Sequence, residues 1–423
     1  MRGKTPLRPG WPAASRRSFR SCSPRWGLDD VRREGLVRLL SLSPGISRRD
    51  FWQAAAANFL FFCNVSAFNL LPLYIADLGG SEARIGWIMG VYSLAAFVFL
   101  PLVGRWVESF GIKRFLLLGG ATGLFASASF AFLTELSPLF SFLRILQGLG
   151  YSAFYIANLT LIAEIAPARH RAETVGIFGI SGLIAMGAAP AFGELVIDAY
   201  GYQAFFLFAS LFSLGGLLVV GVLKPLEVLP PTDHGWGGIT KERILLPLLI
   251  ALIFGVCFGT LYAFFPPFAK GIGGVKRVGG FFVAYASCAV GIRVLGRRWA
   301  DAWGRWQVVI PALFLYALGI LLLLWPGPLR AQLWVGGLAG VGHGILYPTL
   351  TALLVDQVES GRRGRVLGLF SSAIVLGASL GPMAMGVVAQ RIGYPGMFGL
   401  TGLLPLLGVL LIGISLRRSY WKP

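Results

Sequence analysis

The second half of this chain repeats the first at a nearly fixed offset, and both copies are built from long apolar stretches. A shift of 192 residues carries Gly148, Gly150 and Tyr155 onto Gly340, Gly342 and Tyr347. The same shift carries Arg171 onto Arg363, Gly176 onto Gly368, Pro190 onto Pro382 and Phe206 onto Phe398. Gly201-Tyr202 falls on Gly393-Tyr394, and one residue further Glu108-x-x-Gly111 falls on Asp301-x-x-Gly304. A duplication on this scale restricts the chain to two copies of one helical unit packed side by side. Parallel halves of hydrophobic helices are one way secondary transporters are built, with the substrate site between them.

The chain is 56% hydrophobic and only 13% charged, with a mean hydropathy of +0.73. Those values belong to a polytopic membrane protein. About 20 apolar residues cross the hydrocarbon core as a helix. Twelve such stretches follow Phe51: 51–77, 84–107, 115–134, 139–164, 174–196, 204–223, 244–268, 279–299, 307–326, 331–355, 366–389 and 396–416. The expected fold is all-α, with twelve spans in two six-helix halves, 51–223 and 244–416. A segment at 224–243, rich in Pro and Gly, reads as the linker between them.

The formal charge of +19 would suggest a nucleic-acid partner in a soluble protein, but its placement excludes that reading. With the N-terminus in the cytoplasm, only Arg84, Lys270, Lys276, Arg277, Arg330 and Arg391 fall in outer loops. Arg144 and Arg293 lie within spans, and the remaining Lys and Arg face the cytoplasm. This positive-inside bias puts both termini, including the tail 417–423, in the cytoplasm of a cell (inner or plasma) membrane. Residues 1–50 form a basic tail, read as disordered or as translation from an unused upstream start; 29–43 could form a short amphipathic helix. Of the four cysteines, Cys63, Cys257 and Cys288 lie in spans, so no disulfide framework is implied. No phosphate-binding loop, metal-ligand cluster or catalytic nucleophile arrangement is present, so no cofactor, metal or enzymatic reaction is expected.

The loop after span two reads Gly104-Arg-Trp-Val-Glu108-Ser-Phe-Gly111-Ile-Lys113-Arg114. It resembles the G-x-x-x-D-R-x-G-R-R signature of the major facilitator superfamily, and Asp301-Ala-Trp-Gly304-Arg305 resembles the reduced second copy. Arg144-Ile-Leu-Gln147-Gly148 resembles the family's R-x-x-Q-G motif in helix four. Glu164 with Arg171, and Asp356 with Arg363, keep its acid-x6-Arg spacing. The resemblance covers 51–416 and implies a twelve-helix transporter working by alternating access. It also implies a cytoplasmic gate built from Gly104, Glu108, Gly111, Lys113, Arg114, Glu164, Arg171, Asp301, Gly304, Arg305, Asp356 and Arg363. Lys113 and Arg114 have a simpler alternative, which is to enforce topology alone. Ser109 and Ala302 stand where the family usually has Arg, which predicts fewer ion pairs in the gate.

Polar residues inside spans cost free energy: an Arg at a helix centre costs roughly 2.5–3.5 kcal/mol on insertion scales. Arg144, Gln147, Tyr151, Tyr155 and Asn158 follow helical spacing and form one stripe on span four. His343, Tyr347 and Thr351 form the matching stripe on span ten. Facing stripes would make a solute and proton path, to which Asn69, Glu194 and Arg293 are added. Each has another reading: the tyrosines as helix bridges, His343 as a satisfied polar group, and Arg144 and Arg293 as snorkelling side chains. Glu194 either exchanges protons beside Arg144 or is a carboxylate near outer water. Pro190, Gly193, Gly377, Gly381 and Pro382 are expected to pack helices closely. Gly377-x3-Gly381-Pro382 resembles the Gly-Pro motif of the family's exporters, weakened in span five by Ala185 and Ala189. The expected activity is export of a small solute, anionic or zwitterionic rather than cationic, with protons as coupling ion. The working unit is expected to be a monomer in membrane lipid. Uptake by symport or uniport, or a sensor or scaffold role, are the alternatives.

Overall fold

The structure, a computed structural model, describes residues 48–165, 171–223, 241–296, 299–325, 329–358 and 363–420. The basic tail, the possible helix at 29–43 and most of the linker lie outside them. Eight helices among the described residues are long and apolar enough to cross a membrane. Two of these are double passes: Arg171–Val222 reverses at Gly201 (φ 80°) and Arg363–Tyr420 at Gly393 (φ 75°). Ile112–Phe130 and Gly279–Leu295 complete the twelve spans. The other spans are Arg48–Ala67 continued by Leu71–Asp77, Glu82–Phe110, Pro138–Ile165, Lys241–Gly271, Arg305–Leu321 and Leu329–Asp356. The last helix runs on to Tyr420, past the point at 416 where the sequence suggests a tail.

All twelve spans are helices for a physical reason. Hydrocarbon offers no hydrogen-bond partner, so each span must satisfy its own N–H and C=O groups. The outward faces then meet lipid: Phe125, Phe132, Leu211, Leu218, Leu403 and Leu410 are all exposed. Inside, helices approach through small residues. Gly148 of span four lies against the Tyr92 carbonyl of span two, and Gly340 of span ten against the Tyr285 carbonyl of span eight, the same contact in both repeats. Gly377 and Gly381 seat span eleven on the Leu252 and Val256 carbonyls of span seven. Between spans two and three, and between eight and nine, the chain turns at Gly111 (φ 91°) and Gly304 (φ 97°). Only glycine adopts that backbone without strain, which accounts for both signature glycines.

Both termini of the described chain emerge at one end of the bundle, here called the terminal end; the opposite end is the far end. The two halves meet through the far-end portions of two helix pairs. Gly86 and Gly90 of span two lie against Pro382, Ser379 and Met383 of span eleven, and Gly386 returns the contact to Glu82. Gly187 of span five lies against Phe282 and Ala286 of span eight, and Gly279 of span eight against Ala191. Toward the terminal end, Gly104, Gly291, Gly364 and Gly368 of the same spans have open space where a side chain would go. Among the described residues, the close glycine contacts between the halves lie at the far end.

These contacts predict opposite outcomes at two glycines. Gly340→Val must push its added methyls into the Tyr285 carbonyl, and overpacking of this kind costs typically 1–3 kcal/mol. Gly413 has open space around it, so Gly413→Val leaves stability unchanged. Melting of the purified proteins in detergent should separate them by several degrees, and equal melting temperatures would refute the packing role.

Candidate functional site

Span four crosses the middle of the N-terminal half, and its polar stripe divides among three tasks. Arg144 is buried at 4% exposure, as is Gln147 at 7%. The guanidinium donates through Nη1 to Gln147 Oε1 at 2.9 Å and weakly through Nε to the Ile88 carbonyl at 3.4 Å. Its centre lies 4.3 Å from the Tyr92 ring centroid. Asn64, Phe68, Tyr92, Gly123, Arg144 and Gln147 border one small void in this half. Among the described residues Arg144 has no carboxylate partner: the ion pairs there are Lys270–Glu194, Arg277–Asp198 and Arg305–Asp356.

Magnitudes decide what that means. A desolvated cation–π contact contributes about 2 kcal/mol, and a hydrogen bond from a charged donor ~1.5–3 kcal/mol. Removing the ion from water costs several kcal/mol. The site is thus held together but short of negative charge, the condition under which an arriving anion binds favourably.

Asn158 does something else. Its amide donates to Asn58 Oδ1 at 2.7 Å, and Asn58 donates to Ser181 Oγ at 2.8 Å. This ties spans four, one and five inside one half, so Asn158 stands apart from any path between the halves. Asn64 makes a similar tie, donating to Ser127 Oγ (2.7 Å) and the Ala209 carbonyl (2.8 Å). Asn69 is half-buried in the single 3-10 turn Phe68–Leu70.

Tyr151 and Tyr155 stack at 5.3 Å, and Tyr155 lies close to Tyr347 and Ser371 of the other half. The duplicated tyrosines meet on the pseudo-symmetry axis. Behind Tyr347, the His343 Nδ1 and Tyr285 hydroxyl share a 2.9 Å hydrogen bond. Both residues are buried, His343 between Phe254 and Phe258. Arg293 lies with its guanidinium 5.5 Å from the Tyr347 ring centroid.

Glu194 falls in neither place that the sequence suggests for it. It is 1% exposed and lies at the interface of the halves. Its carboxylate accepts the Val278 N–H at 2.9 Å and the Gly279 N–H at 2.7 Å, the first turn of span eight. Lys270, at the end of span seven, completes the set at 3.3 Å. A carboxylate on the unpaired N–H groups and positive dipole of a helix start is a favourable arrangement. All three partners belong to the other half, so Glu194 latches the far end. Arg277 and Asp198 pair beside it at 3.2 Å, also across the halves. Pro190 and Gly193, on the same helix, are buried, with Gly193 against Phe205 and Leu70.

At the terminal end, Lys113, Arg305 and Asp356 make contacts inside their own halves. Lys113 donates to the Gly221 and Leu223 carbonyls at 2.7 Å each, closing the end of span six. Arg305 pairs with Asp356 at 3.2 Å, joining spans nine and ten. Glu164, Arg114 and Arg363 are exposed. The side chains of Glu108, Arg171 and Asp301 lie outside the described set.

Two six-helix halves closed at one end around interior polar groups define a membrane transporter built for alternating access. The sequence model of the Major Facilitator Superfamily matches residues 54–338 and 282–420, and the chain belongs to that superfamily. It is 25% identical over 385 residues to the staphylopine export protein of Staphylococcus aureus, covering 86% of this chain and 95% of that protein. An uncharacterized MFS-type transporter of Pseudomonas aeruginosa is 29% identical, covering 84% of this chain and 89% of its own length. Among solved structures, the nucleoside transporter NupG superposes with a TM-score of 0.71 at 14% identity, covering 88% of this chain and 100% of that one. The protein is a multi-pass membrane protein of a transporter family.

The latch predicts a change in far-end access. In a background with all four cysteines replaced, Ala191→Cys is shielded by Gly279. Adding Glu194→Ala or Lys270→Ala should raise its labelling rate by a membrane-impermeant maleimide at least tenfold, while Asp356→Ala leaves it unchanged. Equal rates in all variants would remove the latch.

Proposed function

We propose that this protein exports a small anionic or zwitterionic organic solute from the cytoplasm in exchange for protons. The observation that carries the proposal is the Glu194 latch. One buried carboxylate holds the far end shut through three partners on the opposite half, and the close glycine contacts between the halves among the described residues lie at that same end. A transporter in this state loads from the terminal end. The bias of Lys and Arg supports the cytoplasm as the side of that end, with both termini there and the cell membrane around the halves 51–223 and 244–416.

Protonation of Glu194 removes the charge that Lys270 and the start of span eight hold. With Asp198 and Arg277 alongside, the latch is then weakened from the outer side, where a proton would enter in exchange. Arg144 offers uncompensated positive charge to an anionic group. Tyr151, Tyr155, Tyr347 and His343 line the way between the halves, and Gln147 orients Arg144. When the outer end opens, the terminal end must close. We assign the contacts of that second state to the family's motif residues Gly104, Glu108, Gly111, Lys113, Arg114, Glu164, Arg171, Asp301, Gly304, Arg305, Asp356 and Arg363. The export protein of Staphylococcus aureus among the relatives favours the outward direction. A monomer contains both halves of the site and suffices.

The test uses inside-out proteoliposomes acidified internally and a radiolabelled panel of organic acids and amino acids. Wild-type protein should accumulate at least one of them only while the pH gradient stands. Arg144→Ala should reduce that flux about a hundredfold with unchanged insertion, and Glu194→Gln should abolish its dependence on the gradient. Uptake that ignores the gradient would overturn proton coupling, and accumulation only against the opposite orientation would overturn export.

A further inference from the structure

Arg293 sits where the two halves meet and has no carboxylate partner among the described residues. Its Nε is buried without an acceptor among the described residues. The charged or titratable groups around it are Tyr347 and His343 of span ten and Tyr285 of its own span, with no carboxylate among them. From the opposite half Gly179 of span five approaches: a side chain begun there would stand 3.9 Å from the Arg293 Nη1. A guanidinium with an unpaired N–H, a glycine facing its Nη1 and an aromatic ring 5.5 Å away is a partly built anion site.

It is a different site from Arg144. Spans four and eight both run inward from the far end, Arg144 lying six residues below Pro138 and Arg293 fourteen below Gly279. At about 1.5 Å per residue their depths differ by ~12 Å. A single small anionic group reaches one of them at a time, and Arg293 is the one nearer the open end.

The surroundings choose among anions. Among the described residues one guanidinium stands here with no second cation in contact, which matches a singly charged carboxylate through its two-pronged fork. A phosphate monoester would bring close to two charges to a site that offers one. Tyr347 stands against the guanidinium, and Tyr155 with the Tyr151 ring stacked on it lies close to Tyr347, an aromatic run suited to a flat apolar body. We propose that Arg293 with Tyr347 and Gly179 is the entry subsite for the carboxylate of an aryl or similarly planar monocarboxylic acid. The inference rests on the transport reading and makes it specific.

The experiment is equilibrium binding to the purified full chain in nanodiscs, with tritiated benzoate and 2-naphthoate as probes and benzamide and phenyl phosphate as competitors. Wild-type protein should bind the carboxylates, 2-naphthoate more tightly, and neither competitor should displace them. Arg293→Gln should weaken binding ~10–100-fold, the scale of a lost charged hydrogen bond; Arg293→Lys should recover part, and Gly413→Val, remote from the site with open space around it, should retain it. Gly179→Leu should weaken it at least tenfold by filling the space, whereas Gly179→Ala should not. Melting of each unliganded variant separates misfolding from lost binding. Equal binding by Arg293→Gln, displacement by phenyl phosphate, or no binding by wild-type protein would each overturn the assignment. In the last case, gradient-driven flux of another solute would leave the transport reading standing.

Discussion

The structure depends on how closely two helices of different halves can approach in a medium that gives apolar side chains no reason to associate. Lipid tails are as apolar as leucine, so contact must come from shape and from buried polar bonds. Glycines at 86, 90, 187, 279 and 386 supply the shape, and Glu194 supplies the bonds. Both act at one end only. The open space around Gly104, Gly291, Gly364 and Gly368 at the other end follows from the same rigid helices diverging.

That asymmetry gives meaning to the interior charges. Arg144 and Arg293 have no carboxylate partner among the described residues, whereas acids and bases at the helix ends are paired or exposed. A membrane protein that only needed stability would gain by exchanging both arginines for apolar residues. Their burial beside tyrosines, one in each half, makes sense if the missing charge arrives with a solute.

Much of this was legible in the sequence because hydrocarbon enforces simple rules. Apolar runs became helices, the duplicated Gly148 and Gly340 became the same contact, and Gly111 and Gly304 took the backbone that only glycine accommodates. The stripe of span four was legible as a stripe, yet not its division: Asn158 turned to Asn58 while Tyr155 turned to Tyr347. The partners of Glu194 were hidden, because two are backbone amides and the third is a lysine in another repeat. Lys113 looked like an ion-pairing residue, but its acceptors are the carbonyls of Gly221 and Leu223. Periodicity reports which face a residue occupies; it carries no information about backbone acceptors distant in the chain.

Lys113 has a mechanical consequence. By clasping the start of span three to the end of span six, it joins the first half at the point where its helices would otherwise fray apart. The Asn58, Asn64 and Asn158 amides fasten the same half nearer its middle. A body braced at several heights resists bending, so the two ends of this half are coupled through its own side-chain ties rather than through its loops.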